Sequence, residues 1–242
     1  MGQGTGQGRR LGEQPSPRGP VRRRLFPGTT RLLLVLALIA AGCSGRDGVT
    51  APVPDGVLTL DVRVHLLRSD AVPELDATLT DEEVGLLFGE VTAIWQQAEI
   101  AWRVESILRE EARNAAEFAQ ALRGEALLLP ALLSVLPTEQ LTDGGWDVFL
   151  IRDLGGRIVG AYLSNLPAVV APEIVPPSGR DLTGATARAV AHELGHSLGL
   201  IHVPCTEAGN LMAQGCAVED RRGLEPFQIE AAREQAARGM PF

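Results

Sequence analysis

Lysine is missing from this 242-residue sequence: all 22 basic side chains are arginine, set against 30 acids. Seven of those arginines and a single acid fall in the first 42 residues, so the remainder carries a formal −14. So acidic a body lacks the concentrated cationic surface that phosphate contacts need, which excludes nucleic acid as a partner. Aromatic residues make up only 4%, cysteines number three and histidines four. No apolar run reaches the roughly 20 residues that a bilayer-spanning helix requires. What the chain does have, 45% hydrophobic and 21% charged residues, suits one globular domain and argues against disorder. There are no internal repeats.

The strongest apolar run is short and lies near the front. Arg22, Arg23, Arg24 and Arg31 precede Leu32 to Ala41, and Ala40-Ala41-Gly42-Cys43 follows. A positive stretch, about ten apolar residues and small residues at the cut make an export signal over residues 1–42. Small residues directly before a cysteine resemble the lipobox of bacterial lipoproteins, in which Cys43 would be lipidated and become the first mature residue. That resemblance implies an exported protein held at the cell envelope by a lipid anchor. An ordinary signal peptide or an uncleaved anchor, with Cys43 incidental, is the alternative. Met1 to Pro20 is Gly- and Arg-rich, and a start at Val21 would give a signal of more usual shape. Residues 43–56 read as a flexible tether. Export bears on Cys205 and Cys216, the two cysteines left in the mature chain. An oxidising compartment favours their pairing, whereas a metal held by two thiolates would need two further ligands that the neighbourhood does not supply.

The body, 57–242, mixes strands and helices. Leu58, Leu60, Val62, Val64 and Leu66 alternate with Asp61, Arg63 and His65, the pattern of a half-buried strand over Val57 to Leu66, with His65 at a surface or edge position. Thr80 as N-cap and Glu83 completing a capping box open a helix that runs to about Ala98 on the stripe Val84, Leu87, Val91, Ile94 and Trp95. Ile100 to Ile107, Trp146 to Ile151, Gly160 to Ser164 and Ala168 to Ala171 read as further strands, and Glu110 to Arg123 as an Ala-rich helix. Trp95 and Trp102 are core candidates. A helix from about Thr183 to Leu198 follows, and Pro226 and Gly239 bracket the last one.

The chemistry is concentrated in residues 192–202, His-Glu-Leu-Gly-His-Ser-Leu-Gly-Leu-Ile-His. His192 and His196 are four apart, about 400° of helix, so their rings leave one face a turn apart and can share a zinc ion. Glu193 stands one step round, able to act on a water at the metal without ligating it. His202 lies six beyond His196, about 600°, which is the wrong side of a continuing helix. The helix must therefore end between them, and Gly199 is the residue able to take the positive φ of such an end. Three His ligands leave a fourth position for water, the mark of a catalytic site.

This pattern resembles the zinc motif of the metzincin metallopeptidases, HExxHxxGxxH, at every fixed position. Asn210-Leu211-Met212 is similar to the family's Met-turn, the methionine beneath the metal; apart from Met1, only Met240 competes for that role. The resemblance implies a metzincin-like α+β fold with a twisted mixed sheet, an active-site helix and a small C-terminal subdomain ending in a helix, divided as 57–199 and 200–242. It implies one catalytic zinc, Glu193 as general base, and an antiparallel edge strand that binds substrate backbone, here Gly160, Ala161, Tyr162, Leu163 and Ser164. Departures are also present. Ala213 follows Met212, so the tyrosine of astacins and serralysins is absent, and Val203 after the third His matches no subfamily marker. With only His65 outside the motif, the second zinc of vertebrate matrixins cannot be built from histidines. The tether is too short for a propeptide domain, so a cysteine switch is not expected. The sequence thus reads as an exported, monomeric zinc endopeptidase acting on proteins or peptides. Its rivals are a non-catalytic surface lipoprotein that keeps the zinc-site fold for binding, against which the intact Glu193 argues, and a zinc hydrolase of a non-peptide amide.

Overall fold

A computed structural model describes residues 56–156, 158–205, 209–214 and 221–242. The export segment, Cys43 with its expected lipid anchor, most of the tether, and Cys216, the expected partner of Cys205, lie outside the described residues. The order of elements is β1 (Leu58–Arg68), α1 (Asp81–Trp95), β2 (Ile100–Glu111), α2 (Ala115–Leu122), α3 (Leu128–Val135), β3 (Trp146–Asp153), β4 (Ala161–Leu163), β5 (Ala168–Val175), β6 (Gly179–Arg180), α4 (Ala185–Ser197) and α5 (Pro226–Ala237). The strands form one mixed sheet in the order β2-β1-β3-β5-β4, with β6 also on β5. β1 pairs in parallel with β2 and β3, and β3 with β5, while β4 and β6 run antiparallel to β5.

The sheet is covered on both faces, and the period of two in its strands sorts side chains between two cores. In β3, Val148 and Leu150 join the core beneath α1 and α4, whereas Phe149 and Ile151 join the core beneath α2 and α3. Such a strand reads as a continuous apolar run, as central parallel strands do. α1 begins as its sequence predicts: the Thr80 side chain accepts from Glu83 N–H at 3.2 Å, and the Glu83 carboxylate accepts from Thr80 N–H at 2.8 Å. Its apolar stripe buries Val84, Leu87, Val91, Ile94 and Trp95.

Four expectations need correction. His65 is neither at the surface nor at an edge. It is fully buried, because α2 and α3 cover the face of β1 that the sequence pattern leaves to solvent. Its ring stacks on Phe149 at 4.3 Å, its Nδ1 meets a Glu110 carboxylate oxygen, and its Nε2 lies 2.9 Å from Asp147 Oδ1. Second, β2 continues through Glu110 and Glu111, and the helix expected from Glu110 starts only at Ala115. Third, β5 runs on from Ala171 to Val175 rather than stopping short. Fourth, α3 had no counterpart in the sequence reading.

The core beneath α1 and α4 matters because it fixes α4. All three tryptophans gather under that helix: Trp102 meets Trp95 and Trp146 edge-on, with centroids 6.4 Å and 5.7 Å apart. Trp95 Nε1–H donates to Ala191 O at 3.3 Å and Trp146 Nε1–H to Ser197 Oγ at 3.0 Å, so the helical part of the motif is tied to the core at both ends. Such edge-on pairs add roughly 0.5–1.5 kcal/mol each beyond the area they bury.

The buried His65 cluster yields a stability prediction. In His65→Leu two carboxylates would face the interior without the imidazole between them, and removing one partner from a buried charged set costs about 3 kcal/mol or more. Urea denaturation should show that loss; a change under about 1 kcal/mol would mean that the cluster is solvated in solution.

Candidate metal centre

α4 carries His192 and His196 on one face, with ring centroids 4.9 Å apart and planes 87° to one another. The helix stops at Ser197, and the stop has the bonding of a Schellman turn. Gly199 N–H donates to His196 O and Leu200 N–H to Gly195 O, both at 3.0 Å, with Gly199 at φ +78°. A side chain at Gly199 would be strained in that conformation, which is the physical content of the motif's glycine. The reversal returns the chain so that His202 Nε2 lies 3.1 Å from the Nε2 atoms of both His192 and His196.

Backbone carbonyls orient the two helical rings. His192 Nδ1–H donates to Leu211 O and His196 Nδ1–H to Leu200 O, both at 2.8 Å, which leaves each Nε2 lone pair pointing inward. Burial pushes the His192 imidazole down to about 4, and it lowers His196 and His202 as well, so all three are neutral near pH 7. Facing lone pairs at 3.1 Å repel unless a cation stands among them. Three nitrogens of a tetrahedral zinc site, each about 2.0–2.1 Å from the ion, are about 3.3 Å apart. The donor set therefore fits zinc, and among the described residues His192, His196 and His202 are the group of three able to hold a metal ion.

Met240 is 51% exposed, whereas Met212 is completely buried. Its Sδ presses on α4 at Gly195, where a Cβ would come within 2.6 Å of it. The turn that carries Met212 is held by side chains. Asn210 Oδ1 accepts from Met212 N–H at 2.8 Å, Asn210 Nδ2 donates to Gln228 Oε1 at 2.7 Å, and Val203 N–H donates to Met212 O at 3.0 Å. Gln228 belongs to α5, so the last helix anchors the turn beneath the metal site.

Glu193 is 4% exposed. Burial pushes its carboxyl up to about 8, with the backbone N–H of Tyr162 pulling the other way. That N–H belongs to β4, the outer strand of the sheet, whose inner side pairs Tyr162 with Val169. Gly160, just before β4, lies so close that a Cβ there would sit 2.6 Å from Glu193 Cγ. Gly160, Ala161 and Tyr162 line a cleft of about 600 Å³ together with His192, Glu193 and His196. Leu163 points instead into the core beneath α2 and α3, and Ser164 is exposed. Gly195, Gln228 and the two cleft arginines Arg188 and Arg221 are site residues that the sequence pattern did not single out, and Gly160, expected only as part of the edge strand, also makes room for Glu193. For Arg188 a signal existed: it is four residues before His192, hence on the same helix face.

No protein-family model matches the chain, and no curated protein matches it significantly. Among solved structures it is similar to mirolysin in complex with compound 9, at 12% identity and a TM-score of 0.51, over 77% of this chain and 97% of that one. It is also similar to archaemetzincin from Methanopyrus kandleri (15%, TM-score 0.46, 77% and 99%) and to metalloproteinase-II from Bacteroides fragilis (15%, TM-score 0.44, 75% and 55%). The chain thus spans about half of the Bacteroides fragilis chain. At these identities the likeness to mirolysin shows a shared fold and nothing finer. The fold is mixed α and β, like that of mirolysin, with two members of a histidine triad on α4 and the third just past its end.

Zinc content checks the centre directly. The purified protein should hold about one zinc per chain and His202→Ala much less. Chelation should lower the melting temperature, since a ligand at a thousand times its Kd stabilises by about 4 kcal/mol. Full zinc content in His202→Ala would remove that residue from the donor set.

Proposed function

We propose that this protein is a zinc-dependent endopeptidase, and that residues 57–242 are its catalytic domain. The observation that carries the reading is a convergence. Three imidazole nitrogens aim at one point, a buried carboxylate stands beside it, and the outer strand of the sheet runs along the same cleft. His192, His196 and His202 would hold the ion through Nε2, and a bound zinc supplies Lewis acidity toward water and toward the scissile carbonyl.

The rest follows from the chain's own groups. A cation held by the histidines would oppose the burial effect and favour the ionised Glu193, whose carboxylate takes the proton of the attacking water and returns it to the leaving amine nitrogen. Tyr162 N–H holds that carboxylate in place, and Gly160 leaves it room. An extended peptide adds to the outer side of β4 as a further strand, which sets the scissile carbonyl over the histidines. Cys43 carries a lipid anchor after export, and Cys205 pairs with Cys216 to clamp the segment between the third histidine and Met212.

Glu193→Ala is the decisive variant. It should keep zinc and fold while peptide cleavage falls by about 10²–10⁴-fold, the usual worth of a positioned proton carrier. Activity equal to that of the unaltered chain, or cleavage that survives chelation, would end the endopeptidase reading.

The intact mass of the exported protein under non-reducing conditions reads the anchor and the disulfide together. A first residue Cys43 carrying acyl mass and a body two hydrogens lighter than its reduced form are expected. A different first residue would refute the anchor, and two free thiols the pairing.

A further inference from the structure

Among the described residues, two arginines in the cleft have no carboxylate within 4.0 Å. Among the described residues every other arginine except Arg152 lies within 4.0 Å of an acid. Arg188 and Arg221, both half-buried in the cleft wall, do not. Arg221 donates one N–H to Ala213 O at 2.5 Å, and Arg188 makes no side-chain hydrogen bond among the described residues. They are close enough to repel: burial first, and Arg188's charge second, hold the Arg221 guanidinium below its ordinary value.

Their placement is specific. Arg188 lies on the motif face of α4 one turn before His192, about 6 Å along the axis. Arg221 reaches the other wall, at the residue that follows Met212, and its charge is felt at His192. The same cleft is lined by the small or apolar side chains of Val175, Ala185 and Ala189, which pack together. Two like charges held together away from bulk water cost stability.

We propose that Arg188 and Arg221 form a subsite for an acidic side chain next to the scissile bond, so that the cleft selects peptides bearing Asp or Glu at that position. The proposal rests on the peptidase reading above for the bond that is cut, but the subsite itself is a binding property. A guanidinium accepts a carboxylate through paired N–H bonds, and a neutral side chain in the same place leaves those donors unanswered. The preference is local, because the rest of the surface is acidic and repels such substrates at long range.

The test has two arms. In the first, the zinc-loaded full chain is given a peptide library and the cut sites are sequenced. Asp or Glu should dominate one position flanking the cut, and Arg188→Gln with Arg221→Gln should remove that enrichment, read as the ratio of cuts beside Asp or Glu to cuts beside Leu, with zinc content as the check that the centre is intact. In the second, calorimetry compares two hydroxamate-capped peptides that differ only in Asp or Leu beside the hydroxamate. The Asp peptide should bind at least about tenfold more tightly, as a charge-assisted bond allows, and lose that margin in the double variant. Cleavage without acidic enrichment, enrichment that survives the double substitution, or equal binding of the two peptides would overturn the subsite. Tighter binding of the Asp peptide with no cleavage of any peptide would support the subsite and overturn the peptidase reading instead.

Discussion

The Nδ1–H of His192 donates to the carbonyl of Leu211, and this 2.8 Å hydrogen bond joins two parts of the molecule that are 19 residues apart. On one side is α4, seated on the tryptophan cluster; on the other is the turn that carries Met212. The bond decides which nitrogen of His192 is free, and so whether the ring can act as a metal ligand. It survives only if the turn sits at the right height under the helix. That height depends on Met212 packing against Gly195, where a side chain would collide with its sulfur. Asn210 and Gln228 then fix the turn to α5, so the last helix of the chain contributes to the metal site without touching it.

The second helical histidine is held by a more local device. His196 donates to Leu200 O, and Leu200 is the residue whose own N–H closes the Schellman turn on Gly195. One turn of backbone thus ends the helix, orients a ligand and returns His202 to the other two. This is why the site was legible in the sequence: its three histidines, the buried Glu193 and the helix stop all lie within eleven consecutive residues, and a helix converts that spacing into geometry. The capping box at Thr80 and Glu83 was legible for the same reason, since both partners are local.

What was not legible depends on contacts between distant segments. His65 looks like a solvent-facing residue because alternation in β1 reports only one buried face, while the second cover comes from helices 50 to 70 residues further on. Glu110 reads as the start of an Ala-rich helix, yet it is held in β2 facing His65. α3 is a short apolar stretch with no side-chain cap, and a run of that length is ambiguous between strand and helix. Gly160 shows its purpose only when the side chain of Glu193, 33 residues later, is placed against it.

The arginines divide along the same line between local and distant. Most are matched by an acid at the surface, where such pairs are screened and contribute about 1 kcal/mol at most. Their loss would scarcely alter the fold. Those in the cleft differ because the sheet, α4 and the segment after Met212 keep bulk water from one side of them, so their charge acts through a lower effective dielectric. A charge becomes informative where the fold restricts its hydration and yet withholds a partner. The same criterion separates Glu193 from the other carboxylates of this acidic chain. Glu173, equally buried, is answered by Arg180 and by the N–H groups of Thr78 and Leu79, and so holds the scaffold together. Glu193 has one backbone N–H and an open cleft, and so remains able to take part in chemistry.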